Sequence, residues 1–98
     1  MTRAQVLRRL RASEAEFRAV GLVSLYLFGS VARGSTHDRS DVDLMLELPE
    51  RSRFSLLDLV DFRDRARDLL DADVDVVVSD PRNADFRERI SPDLVRVF

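Results

Sequence analysis

The stretch Leu27–Leu48, LFGSVARGSTHDRSDVDLMLEL, carries the pattern on which the fold prediction depends. It begins at the end of an apolar run, passes through Gly29-Ser30 and ten further residues, and closes on a segment where apolar and acidic residues alternate. Because successive side chains of a strand point to opposite faces, this alternation predicts a strand with two unlike faces. The apolar face holds Val42, Leu44, Leu46 and Leu48. The opposite face holds Asp41, Asp43, Met45 and Glu47.

Helices and strands are predicted to alternate on both sides of this stretch. A capping box at Thr2 and Gln5 begins a helix that runs to Gly21. A second long helix, over 54–70, has apolar residues at helical spacing: Leu56, Leu59, Phe62, Ala66 and Leu69. The other predicted elements are a strand over 22–28, a short helix after Ser30, a strand over 74–78, a helix over 83–90 and a last strand or extended tail over 94–98. The order α-β-α-β-α-β-α predicts an α/β fold, a small sheet flanked by helices, in a single domain over 1–98.

Composition excludes several classes of chemistry. Of 98 residues, 45% are hydrophobic and 35% are charged, which is typical of a globular domain. All 16 basic residues are arginine, so Schiff-base chemistry and a Walker-type lysine are excluded. There is no cysteine and the only histidine is His37, so neither a thiolate site nor a histidine-based zinc site is expected.

Charge and hydropathy also bear on location and partners. The net charge of −2 gives no basic field for nucleic acid, and charged residues interrupt every apolar segment near the N-terminus. No segment approaches the length of a membrane span. A cytoplasmic protein that binds neither membrane nor nucleic acid directly is therefore expected.

Three aspartates on two strands are the candidate metal ligands. Asp41 and Asp43 project from one face of their strand, and Asp75 interrupts the β-branched run over 74–78, where aspartate is disfavoured. Carboxylates brought together repel one another unless a cation lies between them, and oxygen-only ligands suit Mg²⁺ or Mn²⁺. The alternative is an ordinary solvated strand face, and Asp73 competes with Asp75 for the third position.

Gly29 and Ser30 form a second candidate site. A glycine lets the backbone approach a phosphate closely, a serine hydroxyl can donate to one, and amides at a helix start favour anions. Arg33 lies three residues further on, within reach of either a triphosphate or Asp38. A plain turn after a strand, with Arg33 as a surface arginine, is the alternative interpretation.

The spacing that joins the two sites resembles the signature of the nucleotidyltransferase superfamily, whose palm is similar to that of DNA polymerase beta. Gly29-Ser30, ten residues and Asp41-x-Asp43 match the motif directly, and Asp75 falls where the family has its third carboxylate. The similarity continues through FSLLDLVDFRDRARDLL and VDVVVSDPRNADFRERI to the end of the chain. Within the superfamily the chain resembles minimal nucleotidyltransferases (MNT), the antitoxins of HEPN–MNT toxin–antitoxin pairs.

The resemblance implies a mixed sheet of the polymerase-beta palm type and a reaction in which AMP moves from ATP to a hydroxyl, releasing pyrophosphate. Asp41, Asp43 and Asp75 would be the catalytic carboxylates and would hold two Mg²⁺ ions, Mn²⁺ being possible. Gly29, Ser30 and Arg33 would contact the nucleotide.

The acceptor implied by the resemblance is a tyrosine of a HEPN toxin, since 98 residues leave no room for an acceptor-binding domain. Two alternatives stay open: an antitoxin that neutralises its partner by binding alone, and transfer to a small molecule such as an aminoglycoside. A homo-oligomer is possible, and the roles of Arg87 and Arg89 are open.

Overall fold

The computed structural model describes residues 2–34, 42–79, 85, 88, 89 and 91–98. Four helices and four strands are described there, with one 3₁₀ turn near the end. In chain order they are α1 (Arg3–Arg11), α2 (Glu14–Ala19), β1 (Ser24–Phe28), α3 (Gly29–Ala32), β2 (Val42–Glu47), α4 (Leu56–Leu70), β3 (Val74–Val78), the 3₁₀ turn (Ser91–Asp93) and β4 (Val95–Arg96).

The strands form one sheet in the order β3-β2-β1-β4. β1 pairs antiparallel with β2 and with β4, whereas β2 and β3 run parallel. The parallel pair is joined through α4, the helical crossover that a parallel connection requires. The predicted small mixed sheet flanked by helices is therefore confirmed.

The hydrophobic core lies between one face of the sheet and the helices. Alternate strand residues supply the sheet side: Leu25, Leu27, Val42, Leu44, Leu46 and Val74. The helices supply Val6, Leu10, Phe17, Phe62, Ala66 and Leu70. The ring of Phe17 lies edge-on to that of Phe62, with centroids 4.9 Å apart, and is stacked on Phe98 at 6.4 Å. α2, α4 and the end of the chain thus meet at Phe17.

The first predicted helix is wrong in one respect, because it is two helices. The Thr2–Gln5 capping box begins α1 as predicted, but the chain turns at Ala12 and Ser13, where Ser13 N–H donates to Leu10 O at 3.1 Å. Two acidic residues then occupy the first turn of α2, where they favour a helix start. The turn allows both Leu10 and Phe17 to be buried in one core.

The apolar face predicted for α4 is correct except at its start. Phe62 and Ala66 are buried, but Leu56 is 75% exposed. Ser55 forms a capping box with Asp58, so Leu56 occupies the first turn of the helix. The pattern of spacings does not distinguish such a residue from one in the middle of the core-facing stripe.

Arg11 fastens the end of the chain to the first helix. Its Nε donates to Val97 O at 2.8 Å, and its Nη2 donates to Arg96 O at 3.2 Å. β4, with two residues, has few hydrogen bonds of its own to β1. The last strand is therefore held from α1 as well as from the sheet.

The predicted helix over 83–90 lies mostly outside the described residues, although Asp85, Glu88 and Arg89 have helical backbone. Arg87 lies outside them altogether. No helix in the described part of the chain is long and apolar enough to cross a bilayer.

Replacing Phe17 with alanine tests whether this ring joins the helices to the sheet. Loss of a buried aromatic ring leaves a cavity, so Phe17→Ala should lower the free energy of unfolding by about 3–5 kcal/mol. Urea unfolding followed by circular dichroism measures the change. The control is Val78→Ala, at a residue 40% exposed, which should cost under about 1 kcal/mol. Equal effects of the two changes would contradict the packing described.

Candidate functional site

One row of residues crosses the sheet on the face away from the core. Phe28 of β1 pairs with Asp43 of β2, and Asp43 pairs in turn with Asp75 of β3. Directly paired residues of neighbouring strands point to the same face and have backbones about 4.8 Å apart. The register therefore places the Asp43 and Asp75 side chains next to each other, as the sequence predicted for this face.

Gly29 lies directly against the side chain of Asp43. A Cβ atom built on Gly29 would overlap Asp43 Oδ2 and would lie 3.0 Å from Asp43 Cγ. The backbone φ of Gly29 is +76°, a conformation that residues with side chains rarely adopt. Two separate constraints, backbone angle and contact with a carboxylate, thus require glycine at this position.

The helix that carries Ser30 is a single short turn held from both ends of the chain. Arg3 of α1 donates to Ala32 O at 3.1 Å, and Arg33 Nη1 lies 3.0 Å from Asp93 Oδ2. Ser30 is half-buried, and its hydroxyl makes no hydrogen bond to another described residue. The hydrogen bond from Arg3 thus ties α3 to α1 beside the Asp43–Asp75 pair, and the exposed Arg33–Asp93 pair adds little to it.

The two candidates for the third carboxylate differ in their surroundings. Asp75 is exposed within β3 and is in register with Asp43. Asp73 precedes the strand, accepts a bond from Val42 N–H through its backbone, and its carboxylate lies 3.3 Å from Arg67 Nη2. The structure therefore places Asp75, and not Asp73, opposite Asp43.

Some predicted site residues lie outside the described part of the chain. Asp41, His37 and Asp38 are among them. In the ranges that the structure describes, no group of three or more acidic or histidine side chains lies close enough to hold a metal ion. The described share of the candidate site is thus Gly29, Ser30, Arg33, Asp43 and Asp75.

The donor chemistry of the pair fits a hard divalent cation. Asp43 and Asp75 offer only carboxylate oxygens, the ligands that Mg²⁺ and Mn²⁺ prefer, and their repulsion is relieved by a cation between them.

Sequence reasoning missed the residues that position α3. Arg3 and Asp93 lie far from the motif along the chain, and their hydrogen bonds depend on how the two ends of the chain fold together. Arg33 was expected to contact a triphosphate or Asp38; among described residues its partner is Asp93. No local pattern could have identified this pair.

Alanine substitutions at two glycines separate backbone strain from contact with Asp43. Gly34 also has a positive φ, +85°, but a Cβ there would have nothing within 4 Å. Gly34→Ala should therefore cost only the strain, about 1–2 kcal/mol of unfolding free energy. Gly29→Ala should cost at least about 1 kcal/mol more, because Asp43 must also move. Thermal or urea unfolding of both variants measures the difference, and equal costs would rule out the close approach.

Comparison with known proteins shows which family the chain resembles. The model of the nucleotidyltransferase domain family matches residues 7–97. The chain is 30% identical to a minimal nucleotidyltransferase of known structure, with a TM-score of 0.76 over 97% of this chain and 95% of that one. No curated protein sequence matches it.

Two toxin–antitoxin structures are similar in fold. A chain of a toxin–antitoxin complex with AMP-PNP gives a TM-score of 0.71 at 19% identity, over 100% of this chain and 73% of that one. A chain from the tri-AMPylated Shewanella oneidensis HEPN toxin in complex with MNT antitoxin gives 0.58 at 16% identity, over 89% and 70%. With a family model matched over almost its whole length and the paired aspartates beside Gly29-Ser30, the chain belongs to the nucleotidyltransferase domain family.

Proposed function

We propose that this protein is an MNT antitoxin that transfers AMP from ATP to a tyrosine hydroxyl of a HEPN toxin. The observation that carries the proposal is the register of β2 and β3, which sets Asp43 beside Asp75 next to the Gly29-Ser30 turn. Carboxylates and a phosphate-binding turn at one end of a sheet are what nucleotidyl transfer requires. The similarity to a complex with AMP-PNP and to an AMPylated HEPN toxin with its antitoxin supports the choice of nucleotide and partner.

The nucleotide end of the proposed site is the turn between β1 and α3. The Ser30 hydroxyl has no partner among the described residues, so it is available to donate to a phosphate. Arg33 is 53% exposed and paired with Asp93, a surface ion pair of little net stability. A triphosphate can therefore compete with Asp93 for the Arg33 guanidinium at small cost.

The acceptor end is the row of carboxylates. Asp41, Asp43 and Asp75 would hold two Mg²⁺ ions, which neutralise charge on the triphosphate and favour loss of the acceptor proton. Asp75 is exposed whereas Asp43 is half-buried, so Asp75 would be the carboxylate closest to an incoming hydroxyl. These residues mainly position and neutralise reacting groups, as is general in phosphoryl transfer.

The bonds exchanged are defined by the substrates. The tyrosine oxygen forms a bond to the α-phosphorus of ATP, and the bond from that phosphorus to the bridging oxygen of the β-phosphate breaks. Pyrophosphate leaves with the electron pair, and the phenolic proton passes to solvent. The product carries a phosphodiester that links adenosine to the tyrosine.

Intact-mass spectrometry of the HEPN protein encoded beside this chain, co-expressed with it, tests the proposal. The wild-type chain should add AMP-sized increments to the HEPN protein, and Asp41→Asn with Asp43→Asn should abolish them. The matched control is Asp68→Asn with Asp71→Asn, which makes the same charge change on exposed residues at the end of α4. AMP-sized increments that persist in the variant with both substitutions at Asp41 and Asp43 would show that AMP transfer does not require these two aspartates.

The same experiment separates the alternatives. No increments, with the two proteins still co-purifying, would replace the proposal with neutralisation by binding. No increments and no complex would overturn the choice of acceptor and favour a small molecule.

Asparagine substitutions at Asp75 and Asp73 test the third carboxylate. If Asp75 holds a cation, Asp75→Asn should lower the rate of AMP transfer at least about 100-fold, because a metal contributes several kcal/mol to such a reaction. Asp73→Asn removes only the exposed pair with Arg67 and should change the rate less than about threefold. Rates are measured at saturating Mg²⁺ with radiolabelled ATP. The reverse ranking would assign the role to Asp73.

A further inference from the structure

The large hydrophobic side chains exposed among the described residues share one end of the molecule. They are Val20, Val23, Leu56, Leu57, Val60 and Val78. Val23 precedes β1 and donates to Glu47 O at the last residue of β2, while Val78 ends β3. Asp43 and Asp75 lie at the opposite ends of β2 and β3. These apolar residues are therefore remote from the candidate site.

Val20 lies beside the first turn of α4 because α2 and α4 run antiparallel. Glu16 pairs with Arg65 at 2.9 Å, and the ring centroids of Phe17 and Phe62 are 4.9 Å apart. A Cβ on Gly21 would lie 3.8 Å from the Phe54 ring. As residue numbers rise along α2 they fall along α4, which brings Val20 alongside the N-terminal end of α4.

The start of α4 directs apolar side chains away from the core. At 100° per residue, Leu56, Leu57 and Val60 cover an arc of about 100° on the side of the helix opposite Phe62. Leu56 and Leu57 are 75% and 76% exposed. An outward apolar arc at the start of a capped helix contributes nothing to this chain's own core. We call Val20, Val23, Leu56, Leu57 and Val60 the distal patch.

Charges of opposite sign flank the distal patch along the axis of α4. Arg51 and Arg53 precede the helix, whereas Asp61 and Asp64 lie about one and two turns beyond Leu57. All four are exposed, and none makes an ion pair with another residue that the structure describes. A partner that lies antiparallel across Leu57 must therefore place acidic groups opposite Arg51 and Arg53. It must also place basic groups opposite Asp61 and Asp64.

A second copy of this chain meets that requirement. We propose that the distal patch is an isologous dimer interface, with a two-fold axis near Leu57. In such a pairing Arg53 of each copy faces Asp61 of the other, Arg51 approaches Asp64, and Val60 faces Phe54. The same surface is then complementary to itself, as two-fold symmetry demands.

The location of the patch favours a second copy over an acceptor. α4 is about 20 Å long and the patch lies at its far end from β3's first residue, so a group that contacts the patch is about 20 Å from Asp43 and Asp75 of the same copy. A dimer through this end leaves both candidate sites open. Formation of this dimer requires neither an acceptor nor the transfer reaction.

Sedimentation of the purified chain over a range of concentrations tests the dimer. The wild type should associate with a Kd in the range of about 1–100 μM, as expected for a small interface. Leu56→Glu with Leu57→Glu should raise the Kd at least about tenfold, because charges replace the centre of the interface. Arg8→Glu, an exposed residue of α1, makes the same total charge change and should leave the Kd unchanged. Circular dichroism checks that each variant is folded.

A mixing experiment tests the two-fold arrangement itself. Arg53→Glu alone and Asp61→Arg alone should each weaken association at least about threefold, since each sets like charges against each other. An equimolar mixture of the two variants should recover the affinity, because both contacts of the mixed dimer pair opposite charges. No recovery in the mixture would overturn the isologous interface.

Two further outcomes would also overturn the proposal. One is a wild-type chain that is monomeric at about 1 mM, a concentration at which even a weak specific dimer forms. The other is a monomeric chain whose complex with the neighbouring HEPN protein is lost on Leu56→Glu with Leu57→Glu, which would assign the patch to that partner instead.

Discussion

The close approach of the Asp43 carboxylate to the backbone of Gly29 is the constraint on which the candidate site depends. It fixes the end of β1 against the beginning of β2, at the point where the chain turns into α3. From this contact, the pairing of β2 with β3 extends the row of side chains to Asp75. A side chain at position 29 would separate Asp43 from the turn, and with it the carboxylates from the Ser30 hydroxyl. The absence of a side chain at position 29 thus allows the carboxylates to lie close to the Ser30 turn.

The sheet makes this arrangement possible by having two different faces. Leu44 and Leu46 on one face are buried against the helices, which anchors β2 as a rigid central strand. The other face can then carry groups such as the Asp43 and Asp75 carboxylates, whose burial in an apolar core would be costly. Along β2 and β3, residues that pack in the core therefore alternate with residues on the face of the candidate site. This division explains why the alternating sequence of β2 predicts both its buried face and its candidate site residue.

Much of the fold followed from local patterns, and the exceptions have physical causes. The alternation of apolar and acidic residues predicted β2 and its two faces, and the run of β-branched residues predicted β3 at its observed bounds. The turn at Ala12 and Ser13 was missed because a 3₁₀ turn leaves the helical spacing of apolar residues nearly intact. In the candidate site, Gly29, Ser30, Asp43 and Asp75 could be named from spacing and resemblance. Arg3 and Asp93 could not, because their roles arise only when distant segments meet.

The attachment of β4 through Arg11 has a consequence for contacts between protein molecules. β2 covers one edge of β1, and the second edge of β1 is covered only while residues 95–97 lie against it. When these residues detach, β1 presents unpaired backbone groups on a strand whose residues are mostly apolar, a surface that can pair with other chains. The two hydrogen bonds from Arg11 oppose this detachment. A short strand and one arginine thereby protect an edge that would otherwise be prone to aggregate.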